Sequence, residues 1–153
     1  LQTESQLLLN LLENGLDDII IQDFSEPVLN GFSNFIKNKT SIKKPFDFVF
    51  ADLPCSGSGT WGRTPEQIAF FKKENLNTYT QLQSKIIENI LPTVKLDGHL
   101  LIATCSVYAA ENEAHVNAIL AQGQFELIEQ RYFKGYTNQA DTLFGAILKR
   151  RSV

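Results

Sequence analysis

Two cysteines are the residues of this chain best suited to covalent chemistry, because a thiolate is a strong nucleophile. The 153 residues contain only these two, Cys55 and Cys105. Each lies at the end of an apolar run that predicts a buried strand, and each is followed by a serine. A buried cysteine most often serves as a small hydrophobic side chain. At a strand end, beside polar residues, it can instead act as a nucleophile when a nearby positive charge or amide dipole lowers its pKa.

The segment around Cys55 has the composition of a ligand-binding loop. It runs Asp52-Leu-Pro-Cys-Ser-Gly-Ser-Gly-Thr60, directly after a strand-forming run. Pro54 ends a strand abruptly, and Gly57 and Gly59 allow the main chain to approach a ligand closely. A plain strand-to-helix connection can have the same composition, so the glycines alone are weak support for a ligand site.

The hydrophobic pattern places these residues on an α/β sheet. Apolar and β-branched runs predict strands over 18–22, 46–51, 99–104, 125–129 and 143–149, whereas helical spacing predicts helices over 5–12, 29–36, 78–94 and 111–121. Asp97-Gly98 predicts a turn. Such an alternation predicts an open, mainly parallel sheet, whose ligands bind at the carboxyl ends of the strands. Asp23, residues 52–55 and Cys105 each follow a predicted strand, so we expect them at one edge of the sheet.

Composition excludes several classes of protein. The length fits one domain, and no apolar run approaches the roughly 20 residues of a transmembrane helix. Two cysteines are too few for a disulfide framework or a zinc site, so we expect reduced thiols, a cytoplasmic location and no metal. The net charge of −3 argues against a stand-alone nucleic-acid-binding module, but not against an enzyme that receives RNA from a companion domain.

Both cysteine segments resemble those of a known family. Residues 52–60 resemble the Asp-x-Pro-Cys-Ser-Gly-x-Gly signature of the Sun/Fmu-like RNA (cytosine-5)-methyltransferases, and Thr104-Cys105-Ser106 resembles that family's second cysteine motif. Matching flanks are Asp97-Gly98, Glu111-Asn112-Glu113, Arg63-Thr-Pro65-Glu66 and residues 140–146. The resemblance covers roughly residues 14–150, and two cysteine motifs in order make it specific.

The resemblance implies a thiol-addition mechanism with S-adenosylmethionine as the methyl donor. A thiolate adds to C6 of cytosine, C5 of the enamine-like adduct attacks the methyl group, the C5 proton is removed and the thiol is eliminated. In this family the Thr-Cys cysteine, here Cys105, is the nucleophile, and the Pro-Cys cysteine, here Cys55, resolves the adduct. DNA cytosine methyltransferases use the Pro-Cys position instead, so the assignment rests on the resemblance alone. Reaching the base requires unstacked or single-stranded RNA.

The resemblance also implies roles for other side chains. Asp52 would face the polar edge of the cytosine and help to bind the cofactor, Asp23 would lie near the adenine of the cofactor, and Pro54, Ser56 and Arg63 would contact RNA. Asp52 and Asp23 could instead cap a turn and a helix, and Arg63 could be a surface residue. We expect structural or surface roles for His99 and His115, and core or interface roles for Trp61, Phe70 and Phe71.

The chain departs from the family in its first residues. No glycine-rich loop precedes Asp52, and the acidic residue that would hold the ribose hydroxyls is absent. We therefore expect a Rossmann-like class I methyltransferase sheet that lacks its first strands and that loop, with residues 1–153 a partial catalytic domain. The absence of methionine and the start at Leu1 fit this expectation. We expect an RNA-binding region upstream, and weak or no cofactor binding and activity in this chain alone.

Ribosomal RNA is the expected substrate, with transfer RNA as the alternative. The alternative from a different class is that the chain is a non-catalytic, methyltransferase-like fragment that serves as a binding domain. The missing glycine-rich loop favours this alternative, whereas the presence of both cysteines argues against it. A methyltransferase acting on exocyclic amines would need an Asn/Asp-Pro-Pro-aromatic loop, and Pro54-Cys55 argues against it.

Overall fold

A computed structural model describes the backbone of residues 19–23 and the full residues 45–152. The expected helices 5–12 and 29–36 lie outside these described residues. The elements are β1 (Ile19–Asp23), β2 (Phe46–Asp52), α1 (Glu66–Phe70), α2 (Asn75–Ile90), β3 (Val94–Thr104), α3 (Glu113–Ala121), β4 (Phe125–Lys134) and β5 (Thr142–Arg150). Over this part of the chain, no helix is long and apolar enough to span a membrane.

The strands form one five-stranded sheet in the order β1-β2-β3-β5-β4. The first three are parallel neighbours, whereas β5 runs antiparallel to both β3 and β4. The predicted α/β class is confirmed, but the prediction of a mainly parallel sheet holds only for β1, β2 and β3, because both strand pairs that involve β5 are antiparallel. Since parallel neighbours need a crossover connection, α2 lies between β2 and β3 in the chain.

The strand register brings the carboxyl ends of β1, β2 and β3 to one edge. Asp23 of β1 pairs with Asp52 of β2, and Asp52 pairs with Ala103 of β3. Cys105 follows immediately after the last residue of β3. The predicted convergence of these strand ends is therefore present in the fold.

An apolar core fixes the strands that carry this edge. Ile86, Ile87 and Ile90 lie on one face of α2 and are buried with side chains of β2, β3, α3 and β5. The members from the other elements include Val49, Ala51, Leu100, Ile102, Val116, Ile119, Ala146 and Leu148. Full burial of one such aliphatic side chain contributes about 1.5–3 kcal/mol, so the sheet edge rests on a rigid support.

The predicted turn at Asp97-Gly98 is wrong, because β3 begins earlier, at Val94, and includes both residues. The strand has an irregularity there, where Asp97 adopts φ 63° and the pairing with β2 shifts register. A side chain at Gly98 would lie about 3.0 Å from the carbonyl oxygens of Phe46 and Asp47. Tertiary contact with β2 therefore keeps a turn-like dipeptide inside the strand.

Other boundaries differ by a few residues. Helix α2 spans Asn75–Ile90 rather than 78–94, because Pro92 cannot continue it and a 3₁₀ turn over Leu91–Thr93 follows. Helix α3 begins at Glu113, after the predicted start at Glu111, and β4 and β5 are longer than predicted. Helix α1 was not predicted.

Candidate active site

The two thiols lie in contact at the carboxyl edge of the sheet. The Cys55 and Cys105 sulfur atoms are 3.3 Å apart, within hydrogen-bond distance for sulfur, and no disulfide joins them. Both residues are only partly buried. Neither cysteine belongs to the buried apolar core.

The contact makes one thiol easier to ionise than the other. The hydrogen bond from Cys55 lowers the pKa of Cys105, although burial and the charges of Asp52 and Asp141 act in the opposite direction. The same hydrogen bond, followed by burial, raises the pKa of Cys55. These opposite shifts favour Cys55 as the hydrogen-bond donor and Cys105 as the thiol that ionises first.

One buried carboxylate connects the residues that follow the two cysteines. Glu111 has no exposed surface. Its Oε1 accepts from the Ser56 backbone N–H at 2.8 Å, and its Oε2 accepts from the Ser56 hydroxyl at 2.7 Å and the Ser106 hydroxyl at 2.5 Å. The Glu111 side chain thereby connects the loop that carries Cys55 to the loop that carries Cys105.

Further hydrogen bonds fix each loop on its support. Asn112 accepts from the Thr104 hydroxyl at 2.5 Å and donates to the Ser106 carbonyl at 2.8 Å, so it bonds the residues on both sides of Cys105. Gln83 of α2 donates to the Pro54 carbonyl at 2.8 Å. Its amide oxygen then faces Nε2 of His115, also at 2.8 Å, which assigns the proton of that neutral imidazole to Nε2.

The two positions after Cys55 that carry glycine require it for different physical reasons. Gly57 adopts φ 69°, a left-handed conformation that favours glycine. Gly59 donates its N–H to the Cys105 carbonyl at 2.8 Å, and a Cβ there would lie 2.0 Å from the Thr142 carbonyl oxygen. The expected close approach of the main chain is present, but at Gly59 the group approached belongs to the protein itself.

Acidic residues mark the strand ends beside the thiols. Asp52 is exposed at the end of β2, and its charge acts on Cys105. Asp23 ends β1 next to Asp52 in the register. Within residues 45–152, no group of three or more His, Cys, Asp and Glu side chains could hold a metal ion.

The other candidate substrate-binding residues have partners within the protein. Ser56 donates to Glu111, and the Pro54 carbonyl accepts from Gln83, as described above. The Arg63 guanidinium forms two hydrogen bonds to Asp141, of 3.2 and 2.6 Å, and both carry charges that act on Cys105. Arg63 therefore connects the turn after the first cysteine loop to the start of β5.

An aromatic cluster fastens α1 to the loop after Cys105. The rings of Phe71 and Tyr108 stack at 5.6 Å, and Trp61 lies 4.9 Å from Phe71. The expectation of an interface role fits Trp61 and Phe71, whereas Phe70, which is 74% exposed, is not a core residue.

Sequence reasoning gave no role to Glu111, Gln83 or Asp141. Gln83 did leave a signal, because it lies three and four residues before Ile86 and Ile87, on the apolar face of α2. Glu111 belongs to the Glu111-Asn112-Glu113 flank that resembles the family, but nothing in the sequence indicated its burial, since a glutamate is usually exposed.

Comparison with known proteins gives the family context. A model of the 16S rRNA methyltransferase RsmB/F family matches residues 24–147. The ribosomal RNA small subunit methyltransferase B of Cronobacter sakazakii is 39% identical over 77 residues, which are 50% of this chain and 18% of that protein. The corresponding protein of Xylella fastidiosa is 35% identical over 79 residues, 52% of this chain and 18% of that protein. The chain thus matches less than a fifth of the length of these relatives.

Solved structures confirm the fold. The structure of NSun6 from Pyrococcus horikoshii with SFG superimposes with a TM-score of 0.70 at 18% identity, over 97% of this chain and 45% of that one. A methyltransferase homologue from the same organism gives a TM-score of 0.61 at 22% identity, over 97% and 51%. The sheet is therefore that of the Rossmann-like methyltransferases.

Proposed function

Since the chain belongs to the 16S rRNA methyltransferase RsmB/F family, a family of S-adenosylmethionine-dependent methyltransferases, we propose that it carries the catalytic thiols of an RNA cytosine-5 methyltransferase. The proposed substrate is ribosomal RNA. The proposal treats residues 1–153 as part of a larger catalytic domain, to which RNA is guided by a region outside this chain. Its site of action is the cytoplasm, where thiols stay reduced.

The contact between Cys55 and Cys105 is the observation that carries the proposal. Methylation of an exocyclic amine needs no thiol, whereas methylation at C5 of cytosine needs a nucleophile that adds to C6. Two thiols 3.3 Å apart, at the edge where ligands of such sheets bind, suit the second reaction. The reduction of the Cys105 pKa by its hydrogen bond with Cys55 favours Cys105 as the nucleophile.

The proposed reaction uses the two thiols in sequence. The Cys105 thiolate forms a bond to C6, which makes C5 electron-rich. S-adenosylmethionine, when bound, supplies the methyl group that C5 receives. After a base removes the C5 proton, the electron pair of that C–H bond re-forms the ring double bond, and Cys105 leaves as a thiolate. The Cys55 S–H group lies where it can donate to the departing sulfur, which would make the release easier.

The acidic strand ends fit the groups that such a reaction brings to the site. The cofactor presents amino and hydroxyl groups and positive charge, and carboxylates at Asp23 and Asp52 are suited to those groups. Asp52 is exposed beside Cys105 and can also accept a hydrogen bond from the exocyclic amine of cytosine. Asp52 is therefore the proposed link between the base and the cofactor side of the site.

Pro54, Ser56 and Arg63 are the proposed contacts to RNA. Arg63 is the strongest of the three, because its side chain is 67% exposed while Asp141 holds it at a fixed orientation. Ser56 and Pro54 follow Asp52 in the loop that carries Cys55, so they lie next to any base bound there.

Release of tritium from RNA labelled at C5 of cytosine tests the function. Methyl transfer to C5 expels that hydrogen, whereas transfer to the exocyclic amine leaves it in place. The full-length protein is mixed with S-adenosylmethionine and either labelled 16S ribosomal RNA or labelled transfer RNA. We expect release from ribosomal RNA, and none from the Cys105→Ser variant. Methyl transfer without tritium release would overturn the proposed chemistry, and release from transfer RNA alone would overturn the proposed substrate.

A further inference from the structure

Glu111 is a buried carboxylate for which neither the fold nor the proposed chemistry accounts. It is fully buried, and among residues 45–152 no ion pair with a basic side chain involves it. Removing a carboxylate from water is costly unless hydrogen bonds replace the lost solvation. Here three donors do so, and all three come from Ser56 and Ser106.

Those donors lie next to the thiols in the sequence. Ser56 follows Cys55 directly and Ser106 follows Cys105 directly, although the two cysteines are 50 residues apart. The Oε2 atom of Glu111 accepts from both serine hydroxyls, so a single oxygen bridges the two cysteine loops. Hydrogen bonds to an ionised acceptor are roughly twice as strong as neutral ones, which makes this a firm connection.

We propose that Glu111 is a positioning residue that holds Cys55 and Cys105 at hydrogen-bond distance from each other. The consequence for catalysis rests on the proposed function, since the pair must stay together for Cys55 to act on Cys105. The contact between the thiols can be measured without RNA or cofactor.

A merely structural role for Glu111 has a different signature. Several other hydrogen bonds join the same loops and would remain in a Glu111 variant, including one of 3.2 Å between the Ser58 and Ser106 hydroxyls. The Gly59 N–H donates to the Cys105 carbonyl at 2.8 Å, and the Val107 N–H donates to the Ser58 hydroxyl at 2.9 Å. If these suffice to hold the thiols together, loss of Glu111 lowers stability and leaves the thiol contact unchanged.

The pH dependence of Cys105 alkylation separates the two roles. Iodoacetamide modification of the full-length protein is followed from pH 5 to 10, with the modified peptide identified by mass spectrometry. The Cys55→Ala variant defines the profile of Cys105 without a hydrogen-bond donor at position 55. We expect Glu111→Ala to move the wild-type profile to that of Cys55→Ala, and the double variant to move it no further. Asp52, Asp141 and Arg63, the charged groups that act on Cys105, are unchanged in every variant.

The expected effect is a slower reaction near neutral pH. A rise of one unit in the pKa of Cys105 lowers its thiolate fraction tenfold, and with a Brønsted slope of about 0.4–0.5 the alkylation rate falls about threefold. Glu113→Ala is the matched control, because it removes a carboxylate two residues away that bonds only the Tyr132 hydroxyl in the described contacts, at 3.0 Å. Its profile should stay that of the wild type.

A folded Glu111→Ala variant with the wild-type alkylation profile would overturn the inference. If that variant does not fold, Ser106→Ala decides, because it removes one side of the bridge and leaves the buried carboxylate bonded to Ser56. A wild-type profile in folded Ser106→Ala would then overturn the inference. Since the assay contains no RNA, a failure of the proposed methyl transfer would leave this result as it stands.

Discussion

Substitution of Gly59 by alanine should destabilise the protein, because no space exists for a side chain there. A Cβ on Gly59 would lie 2.0 Å from the Thr142 carbonyl oxygen and 2.8 Å from that of Cys105. Both neighbours are main-chain atoms of β5 and of the Cys105 loop. Relief of the clash requires the loop and β5 to separate by more than about 1 Å, since unbonded C···O contacts shorter than roughly 3 Å are repulsive.

Two contributions set the size of the effect. Forcing one extra methyl group into a packed site costs about 1–3 kcal/mol. Separation also weakens the hydrogen bond from Gly59 to Cys105, which contributes about 0.5–1.5 kcal/mol. The free energy of unfolding should therefore fall by about 1.5–4.5 kcal/mol.

Urea denaturation measures this difference against a control in the same loop region. At Gly62 an added Cβ would meet no atom within 4 Å. Gly62→Ala should leave stability unchanged or raise it by up to about 1 kcal/mol, because alanine restricts the unfolded chain. If Gly59→Ala unfolds within about 0.5 kcal/mol of Gly62→Ala, the loop is not packed against β5 in the way described.

Three further predictions follow from single contacts. Burial lowers the pKa of His115. Below the ordinary pKa of about 6.5, the unfolded chain therefore binds more protons than the folded one, so the free energy of unfolding should fall on acidification through that range. The urea midpoint of the His115→Gln variant should depend less on pH than that of the wild type. Diamide should oxidise Cys55 and Cys105 to a disulfide and block Cys105 alkylation until dithiothreitol is added, and persistent alkylation would show that the thiols do not meet. Arg63→Gln should raise KM for RNA and reduce the salt dependence of binding by about 0.7 in log–log slope, whereas an unchanged slope would mean that Arg63 contacts Asp141 alone.

The placement of the thiols could be predicted from sequence because it depends on local patterns. Apolar runs before Asp52 and Cys105 predict strands, and parallel strands in one sheet end at a common edge. The structure bears out both steps. The distance between the two sulfur atoms could not be predicted, since it depends on side chains that meet only in the folded chain.

The buried residues that hold the cysteine loops could not be predicted from the sequence for the same reason. Glu111 bonds Ser56, which is 55 residues away, and its complete burial opposes the usual preference of glutamate for the surface. Asp97 shows the reverse error, because an Asp-Gly pair that favours a turn locally is held within β3 by contact with β2. In both cases a tertiary contact overrides a local preference.

Mapping of a covalent RNA adduct tests the central claim most directly. The Cys55→Ala variant, which should form the bond to C6 but fail to release it, is incubated with ribosomal RNA and S-adenosylmethionine, then digested with nuclease and protease. Mass spectrometry should find a methylated cytidine nucleotide attached to the peptide that contains Cys105, and none in the double variant that also carries Cys105→Ser. An adduct at another residue, or full methyl transfer by Cys105→Ser alone, would contradict the account.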